Sequence, residues 1–357
     1  MVLIGANGVG KTSLLDAFSL VSASASGTLN SIVSQMGGLG SILTRGKSNE
    51  LSLTVDMDVP NHAPLQYEVH LESYGTGYSI SKEILCQSRE GYPNPFKHIN
   101  SNGTTIRYYD TEKNQLISPN WEYNPQETSL SQVPKMFQQP EQLRKILATV
   151  TQYHALDVSA RAPIKLPQQM KPAALPGADG EDLVSYLYYL RETDGERFSA
   201  IEDTLRSAFP AFEGLSFPPV AAGMLAMTWK DNNFRKPLYM SELSEGTLRF
   251  LWLISLLQSP SLSTITMIDE PEISLHPELL HLLVNIMREA STKTQLIVAT
   301  HSDRLIRFLK PEEVVVMDIG EGGYTTPRHL NHQDLSNWLN DYSLDEIWRL
   351  GQIGGRA

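Results

Sequence analysis

The sequence predicts an α/β fold in which a mostly parallel sheet is interrupted by an antiparallel β insert and a helical lobe. Three observations carry this. The chain opens on a short apolar run, Met1-Val2-Leu3-Ile4, which stops at glycine and gives way to a helical stretch. Two later apolar runs, Leu262 to Ile268 and Gln295 to Ala299, flank a helical stretch from His281 to Glu289, the rhythm of parallel β-α-β. Between these parts lie alternating strands and then amphipathic helices, so the parallel sheet resumes after a long insertion. A chain of 357 residues, 41% of them hydrophobic, can bury a core of that size.

In order, the apolar opening reads as a buried parallel strand and Thr12 to Leu20 as a helix. Ser22 to Gly40 is rich in Ser and Gly and reads as a loop or a frayed helix. Leu51 to Val59 alternates apolar and polar residues, as a half-buried strand does, and short strands recur from Leu65 to Ile117. They are punctuated by Tyr74-Gly75, Asn94-Pro95 and Asn102-Gly103, the last a strong hairpin signal. After Gln126, apolar residues fall at three- and four-residue spacings over Ser131 to Val150, Glu181 to Leu190 and Phe198 to Phe209, which predicts helices. An apolar helix spans Leu248 to Leu257. The 21 prolines exclude a long coiled coil between Pro60 and Pro219, and no repeat is present.

Composition removes several classes. The longest apolar stretches, such as Phe250 to Leu257, fall far short of the roughly 20 residues of a membrane helix, and the first twenty residues read as a phosphate-binding motif rather than a signal sequence. The reading is therefore cytoplasmic, with no membrane partner. The single cysteine, Cys86, allows no internal disulfide and no thiolate metal site. A net charge of −11 repels polyanions and disfavours indiscriminate nucleic-acid coating. Arg161, Lys165 and Lys171 form the best local basic stretch, and a solvated Pro-rich connector is the favoured reading of it.

Gly5-Ala6-Asn7-Gly8-Val9-Gly10-Lys11-Thr12 fits G-x-x-x-x-G-K-[ST] between a predicted strand and a predicted helix. In such a loop the glycines let successive N–H groups and the helix start, here through Ser13, face phosphates. Lys11 neutralises their charge and the Thr12 hydroxyl ligates magnesium. A second carboxylate should end another strand of the same sheet, and Ile265-Thr266-Met267-Ile268-Asp269-Glu270 supplies it. Asp269 suits the metal shell, and Glu270 suits polarisation of an attacking water. Leu243-Ser244-Glu245-Gly246-Thr247 opens the apolar helix with a turn that offers a hydroxyl and free N–H groups to an anion. His301, after the next apolar strand, can reach a γ-phosphate. Arg304 and Arg307 read as solvated helix positions, and Trp338 and Trp348 as core packing.

The order G-x-N-G-x-G-K-T, L-S-x-G, D-E-P-E and T-H-S resembles the ABC-type ATPase heads shared by SMC proteins, RecF and the OLD (overcoming lysogenisation defect) family. It is most similar to the compact, stand-alone AAA-labelled members of the OLD-like group. Asp179 to Leu183, Phe209-Pro210 and Trp348 to Gly355 extend the resemblance over most of the chain. It implies a P-loop NTPase head divided into a P-loop part (1–60), a β insert (61–125), a helical lobe ending in the signature turn (126–258), an acidic-pair and histidine part (259–320) and a C-terminal packing element (321–357). It further implies ATP and Mg2+ as cofactors, hydrolysis of ATP, and an ATP-dependent head-to-head homodimer. Ser244, Glu245 and Gly246 would then complete the site of the other subunit, Ser274 to Pro277 would cross the interface, and Gln132 would sense magnesium.

In that group one or two strands before the P-loop cover the adenine side, whereas here the loop begins at Gly5. The resemblance also implies a role in DNA repair or anti-phage defence. Too little chain follows His301 for the nuclease domain of the OLD proteins, so a nuclease or other effector would be a separate polypeptide, with nucleic acid left open as a ligand. Two other classes remain compatible with the motifs: a transporter nucleotide-binding subunit, which would ordinarily carry Gln in the signature, and a non-hydrolysing ATP-gated scaffold.

Overall fold

A computed structural model describes residues 1–355 apart from Arg45, Asn61, Thr76, Thr104 and Asn340, and describes only the backbone of His332, Asp334, Ser336 and Asn337. The chain forms two compact units, Met1–Thr12 with Thr151–Ala357, and Ser13–Val150.

Strand β1 (Val2–Ile4) opens the first unit, and helix α1 (Lys11–Ser26) starts there and continues into the second. Helix α1 runs beyond the predicted end at Leu20 because Val21, Ala23 and Ala25 are buried in the core of the second unit, while its serines satisfy their hydroxyls on the helix backbone: Ser24 Oγ donates to Val21 O at 2.7 Å and Ser26 Oγ to Ser22 O at 2.8 Å. The stretch expected to be a loop or frayed helix also supplies α2 (Leu29–Gln35) and α3 (Leu39–Ile42).

The second unit then builds a six-stranded antiparallel meander: β2 (Glu50–Val59), β3 (His62–Tyr74), β4 (Gly77–Gln87), β5 (Phe96–Asn102), β6 (Tyr108–Asp110) and β7 (Gln115–Ile117), in sequential order. Two short helices close it, α4 (Ser129–Gln132) and α5 (Gln138–Leu147), with Pro134 between them where one continuous helix was expected. Leu65, Tyr67, Val69, Leu71, Leu85 and Ile99 from the strands share one core with Leu20, Leu29, Leu39, Leu143 and Leu147 from the helices. The sheet therefore starts at Glu50, within the stretch read as the P-loop part, and residues 126–150 fold with the sheet rather than with a separate lobe.

One carboxylate organises this unit. Glu83 is 1% exposed; its oxygens accept from Ser129 N, from Leu130 N at 2.8 Å and from the Tyr67 hydroxyl at 3.0 Å, so it anchors the start of α4 to the sheet. Burial pushes its carboxyl up from the usual carboxylate range, against the pull of those two N–H groups. Glu83→Ala would leave three buried donors without an acceptor and is expected to destabilise the second unit by about 3 kcal/mol or more. Denaturant unfolding read together with hydrogen exchange over 60–150 checks this.

The first unit resumes with β8 (Thr151–Tyr153), β9 (Gln168–Gln169), α6 (Leu183–Thr193), α7 (Gly195–Ala208), β10 (Phe212–Ser216), β11 (Met224–Leu225), β12 (Thr228–Asp231), β13 (Leu238–Tyr239) and α8 (Glu245–Leu257). It ends with β14 (Ile265–Asp269), α9 (Pro277–Ala290), β15 (Gln295–Thr300), α10 (Asp303–Ile306), β16 (Val314–Ile319), β17 (Thr325–His329), α11 (His332–Leu339) and α12 (Leu344–Arg349). The central sheet has the order β17-β16-β1-β15-β14-β8, parallel throughout except for β17. Strands β1 and β14 to β16 are near-continuous buried apolar runs, as a sheet covered on both faces requires. The expected helical lobe is mixed: β8 joins the central sheet, and β10-β12-β13 and β9-β11 form small sheets beside α6 and α7. The C-terminal element does pack on the core, with Trp348 buried and Trp338 against it, and it also contributes β17.

Among the described residues no helix is long and apolar enough to cross a membrane.

Candidate active site

Three of the four motifs, the phosphate loop, the acidic pair and His301, lie at the carboxyl ends of parallel strands, where such sheets hold their ligands, and the signature turn opens helix α8. Strand β1 is buried between β15 and β16 and releases the chain at Gly5. Gly8 and Gly10 then take φ angles of 81° and 95°, the left-handed region that glycine enters freely. Gly10 is constrained a second way: a Cβ there would lie 3.1 Å from Thr325 Oγ1, and that hydroxyl donates to Val9 O at 2.8 Å. The start of β17 thus braces the loop.

Lys11, the first residue of α1, is 8% exposed, and its Nζ donates to Gly5 O at 2.7 Å and Ala6 O at 3.0 Å. Burial pushes the ammonium down, while Glu270, Asp269 and Glu272 pull it back up. The loop carbonyls therefore satisfy the lysine while leaving it at the loop rim. Asn7, Gly8, Thr12 and Ser13 are exposed.

Thr12 Oγ1 lies 3.4 Å from Asp269 Oδ2, joining residues 257 positions apart. Burial, then the charge of Glu270, pushes the Asp269 carboxyl up; His154, the Thr12 hydroxyl and Lys11 oppose them. A hydroxyl beside a desolvated carboxylate is a hard-oxygen donor pair that fits Mg2+, and the cation would offset the cost of keeping Asp269 ionised. Among the described residues no group of three or more His, Cys, Asp or Glu is arranged around a metal.

Glu270 has a φ of 51°, unusual for a residue with a side chain, and is held there by donation from its N–H to Ala299 O at 2.8 Å. Its Oε1 lies 2.7 Å from His301 Nδ1. Where the carboxylate oxygen accepts this bond, Nδ1 carries the hydrogen and Nε2 is left as an acceptor. Behind this pair, Glu272 accepts from the Thr300 hydroxyl, its other oxygen has no partner, and burial pushes its carboxyl up.

The signature turn joins the same assembly. Ser244 caps α8, accepting from Thr247 N at 3.1 Å, and Glu245 follows in the first turn, where the helix dipole favours an acid. A Cβ on Gly246 would lie 2.6 Å from Ser274 O, so the signature glycine is required by close approach of the loop after the acidic pair. Ser274 itself sits at a φ of 61°.

The structure thus brings Lys11, Thr12, Asp269, Glu270 and His301 to one edge. Ser13 and Gln132 fall in the other unit. There the Gln132 amide braces its own loop: Nε2 donates to the carbonyls of Asn124, Glu127 and Thr128, and Oε1 accepts from Asn124 N at 2.7 Å.

Sequence reasoning assigned nothing to Glu272, Thr325 or Arg249. Glu272 had a signal, the second acid of Asp269-Glu270-Pro271-Glu272. Arg249, with buried and unpartnered Nε and Nη1, lines a void of about 10 Å³ with His154, Asp269 and Glu270. Its position on the signature helix could have singled it out.

Residues 1–307 match the protein family described as "AAA domain, putative AbiEii toxin, Type IV TA system". Among solved structures, the chain is similar to an SMC head bound to the C-winged helix domain of ScpA, with TM-score 0.54 and 12% identity over 93% of this chain and 91% of that one. An SMC head domain from Thermotoga maritima aligns with TM-score 0.41 and 13% identity over 92% and 89%. No curated protein sequence gives a significant match. The chain therefore belongs to this AAA-domain family and has the SMC-like, ABC-type P-loop ATPase head fold.

Proposed function

We propose that the protein binds Mg-ATP at the loop from Gly5 to Thr12 and hydrolyses it in a head-to-head homodimer that acts as a switch. The observation that carries this is the meeting of Thr12 and Asp269 at 3.4 Å, which unites the phosphate loop and the acidic pair. Lys11 would exchange its bonds to Gly5 O and Ala6 O for phosphate oxygens, and the loop amides would hold the rest of the triphosphate. Thr12 and Asp269 would hold Mg2+, which when bound neutralises phosphate charge. Glu270 takes a proton from the attacking water, and the His301 bond at 2.7 Å fixes its carboxylate. Ser244 and Gly246 of a second copy would cap the γ-phosphate.

ATP favours the closed pair and ADP does not, so turnover separates the heads. The biological setting that this cycle fits is DNA repair or anti-phage defence, with the head gating a separate effector such as a nuclease.

Titration of a fluorescent ATP analogue tests the base of this reading. Lys11→Ala is expected to weaken binding roughly 100-fold, equivalent to about 2.7 kcal/mol of charge-assisted bonding. Equal affinity in wild type and variant, or no binding by the wild type, would overturn it.

A further inference from the structure

One acid beside Asp269 and Glu270 has no part in the chemistry proposed above. Glu272 lies in the turn that follows β14, and its Oε1 accepts from the hydroxyl of Thr300, the last residue of β15. Thr300 is fully buried, and its Oγ1 in turn accepts from Ser302 N at 3.0 Å. The relay from Ser302 N–H through Thr300 to Glu272 therefore closes around His301, the residue between them.

Two further bonds join the same pair of turns. Glu270 N donates to Ala299 O at 2.8 Å, and Glu270 Oε1 meets His301 Nδ1 at 2.7 Å. The first ends at Ala299, before the turn that carries His301 begins. The second joins side chains that are 32% and 48% exposed, where water competes for both partners. The relay reaches past both, because it holds the backbone of the His301 turn itself at Ser302.

Two observations point to placement as what Glu272 supplies. Its Oε2 is buried without a partner, a loss of about 1–3 kcal/mol that is borne for the bond made by the other oxygen. Glu270, two residues away, sits at a φ of 51°, which persists only where neighbouring contacts over-determine it. Ile273 N donates to Glu270 O at 3.2 Å and Leu275 N to Glu272 O at 3.0 Å, so the turn is one piece and what anchors Glu272 anchors Glu270.

We propose that Glu272 is a positioning residue of the hydrolytic site: through Thr300 it fixes the turn that carries His301 against the turn that carries Glu270, and so aims the carboxylate that takes a proton from water. This rests on the hydrolysis proposed above. Glu272 acts through its accepting oxygen, not through its charge.

The test compares Glu272→Ala, Glu272→Gln, Thr300→Val and Thr300→Ser in the full chain. The readouts are steady-state phosphate release, titration of a fluorescent ATP analogue, thermal unfolding, and nitrogen NMR of labelled imidazoles with His301 assigned by His301→Gln. Glu272→Ala and Thr300→Val are each expected to lower kcat by about 10- to 100-fold, the cost of a misplacement of roughly 1 Å. Analogue affinity should stay within about threefold of wild type. Their double variant should lose no more than the slower single one, because both break one connection. Glu272→Gln keeps the accepting oxygen and Thr300→Ser the hydroxyl, so both are expected within about threefold of wild-type kcat. Without nucleotide and at alkaline pH, the share of His301 with its hydrogen on Nδ1 should fall in Glu272→Ala and Thr300→Val alone. Thr300→Val, which keeps the shape of threonine, carries the comparison if Glu272→Ala does not fold. A wild type that does not hydrolyse ATP overturns the proposed function, and the imidazole spectra then decide the role of Glu272 by themselves. Full turnover with an unchanged His301 spectrum in the relay-breaking variants, or a Glu272→Gln variant as slow as Glu272→Ala, overturns the inference.

Discussion

Glu270→Gln is expected to lower steady-state ATP turnover by about 100- to 10,000-fold, the span attributable to a positioned general base, while ATP binding stays within about threefold. Glutamine has the shape of glutamate, and its amide oxygen can still accept from His301 Nδ1 across the 2.7 Å contact. What it lacks is the basicity that takes a proton from water. Binding should survive because Glu270 is one of the influences that push the Asp269 carboxyl up. Neutralising position 270 makes Asp269 easier to ionise, and so a better metal ligand.

A head that binds but does not hydrolyse should accumulate in its ATP state. Light scattering with ATP and magnesium is then expected to find the variant as a persistent dimer, where wild type returns to monomer as ATP is consumed. Unchanged phosphate release would remove Glu270 from its proposed role, and a variant that stays monomeric with ATP bound would remove the switch.

The two halves of the candidate site were legible to different degrees. Lys11, Asp269 and His301 could be read because each follows a buried apolar run, and in a parallel sheet those ends converge whatever lies between them. The interval between the motifs was harder. Strand β8 is only Thr151-Gln152-Tyr153, too short for any periodicity, yet it pairs with β14 in the central sheet. Its membership is set by tertiary pairing, and so is the boundary at Val150 that moved 126–150 out of the expected lobe.

Helix α1 exceeded its predicted length for a tertiary reason: a Ser-Ala run has the composition of a loop until its small residues are buried, as Val21, Ala23 and Ala25 are in the core of the second unit. The Gly246 contact with Ser274 was invisible because glycine in a signature turn is already explained by the anion it would face. The carbonyl 2.6 Å from its missing Cβ is a second, independent requirement.

That contact decides how the trans role of the signature should be tested. Replacing Gly246 would push on Ser274, four residues beyond Glu270, and so would damage the chain's own carboxylate loop whether or not a second copy is involved. Ser244 is the better position: it is exposed, and among the described residues its hydroxyl hydrogen-bonds only to Thr247, through the N–H at 3.1 Å and the side chain at 2.8 Å. Ser244→Arg should therefore cost its own chain only a helix cap, about 1 kcal/mol, while placing a bulky side chain where a partner's γ-phosphate would sit. Alone it is expected to lose roughly 100-fold or more in turnover.

Lys11→Ala alone should be equally inactive at ATP concentrations that saturate wild type, because the triphosphate is held roughly 100-fold more weakly. An equimolar mixture separates the mechanisms. If each site is built from the phosphate loop of one chain and the signature of the other, half of the randomly formed dimers are mixed. Each mixed dimer pairs the intact loop of the Ser244→Arg chain with the intact signature of the Lys11→Ala chain. One of its two sites is then whole, and activity should return to roughly a quarter of wild type. A site completed within one chain cannot be rescued in this way, because every chain in the mixture carries one lesion. Phosphate release from the mixture no greater than the sum of the two variants would place the signature in cis and dissolve the proposed composite site.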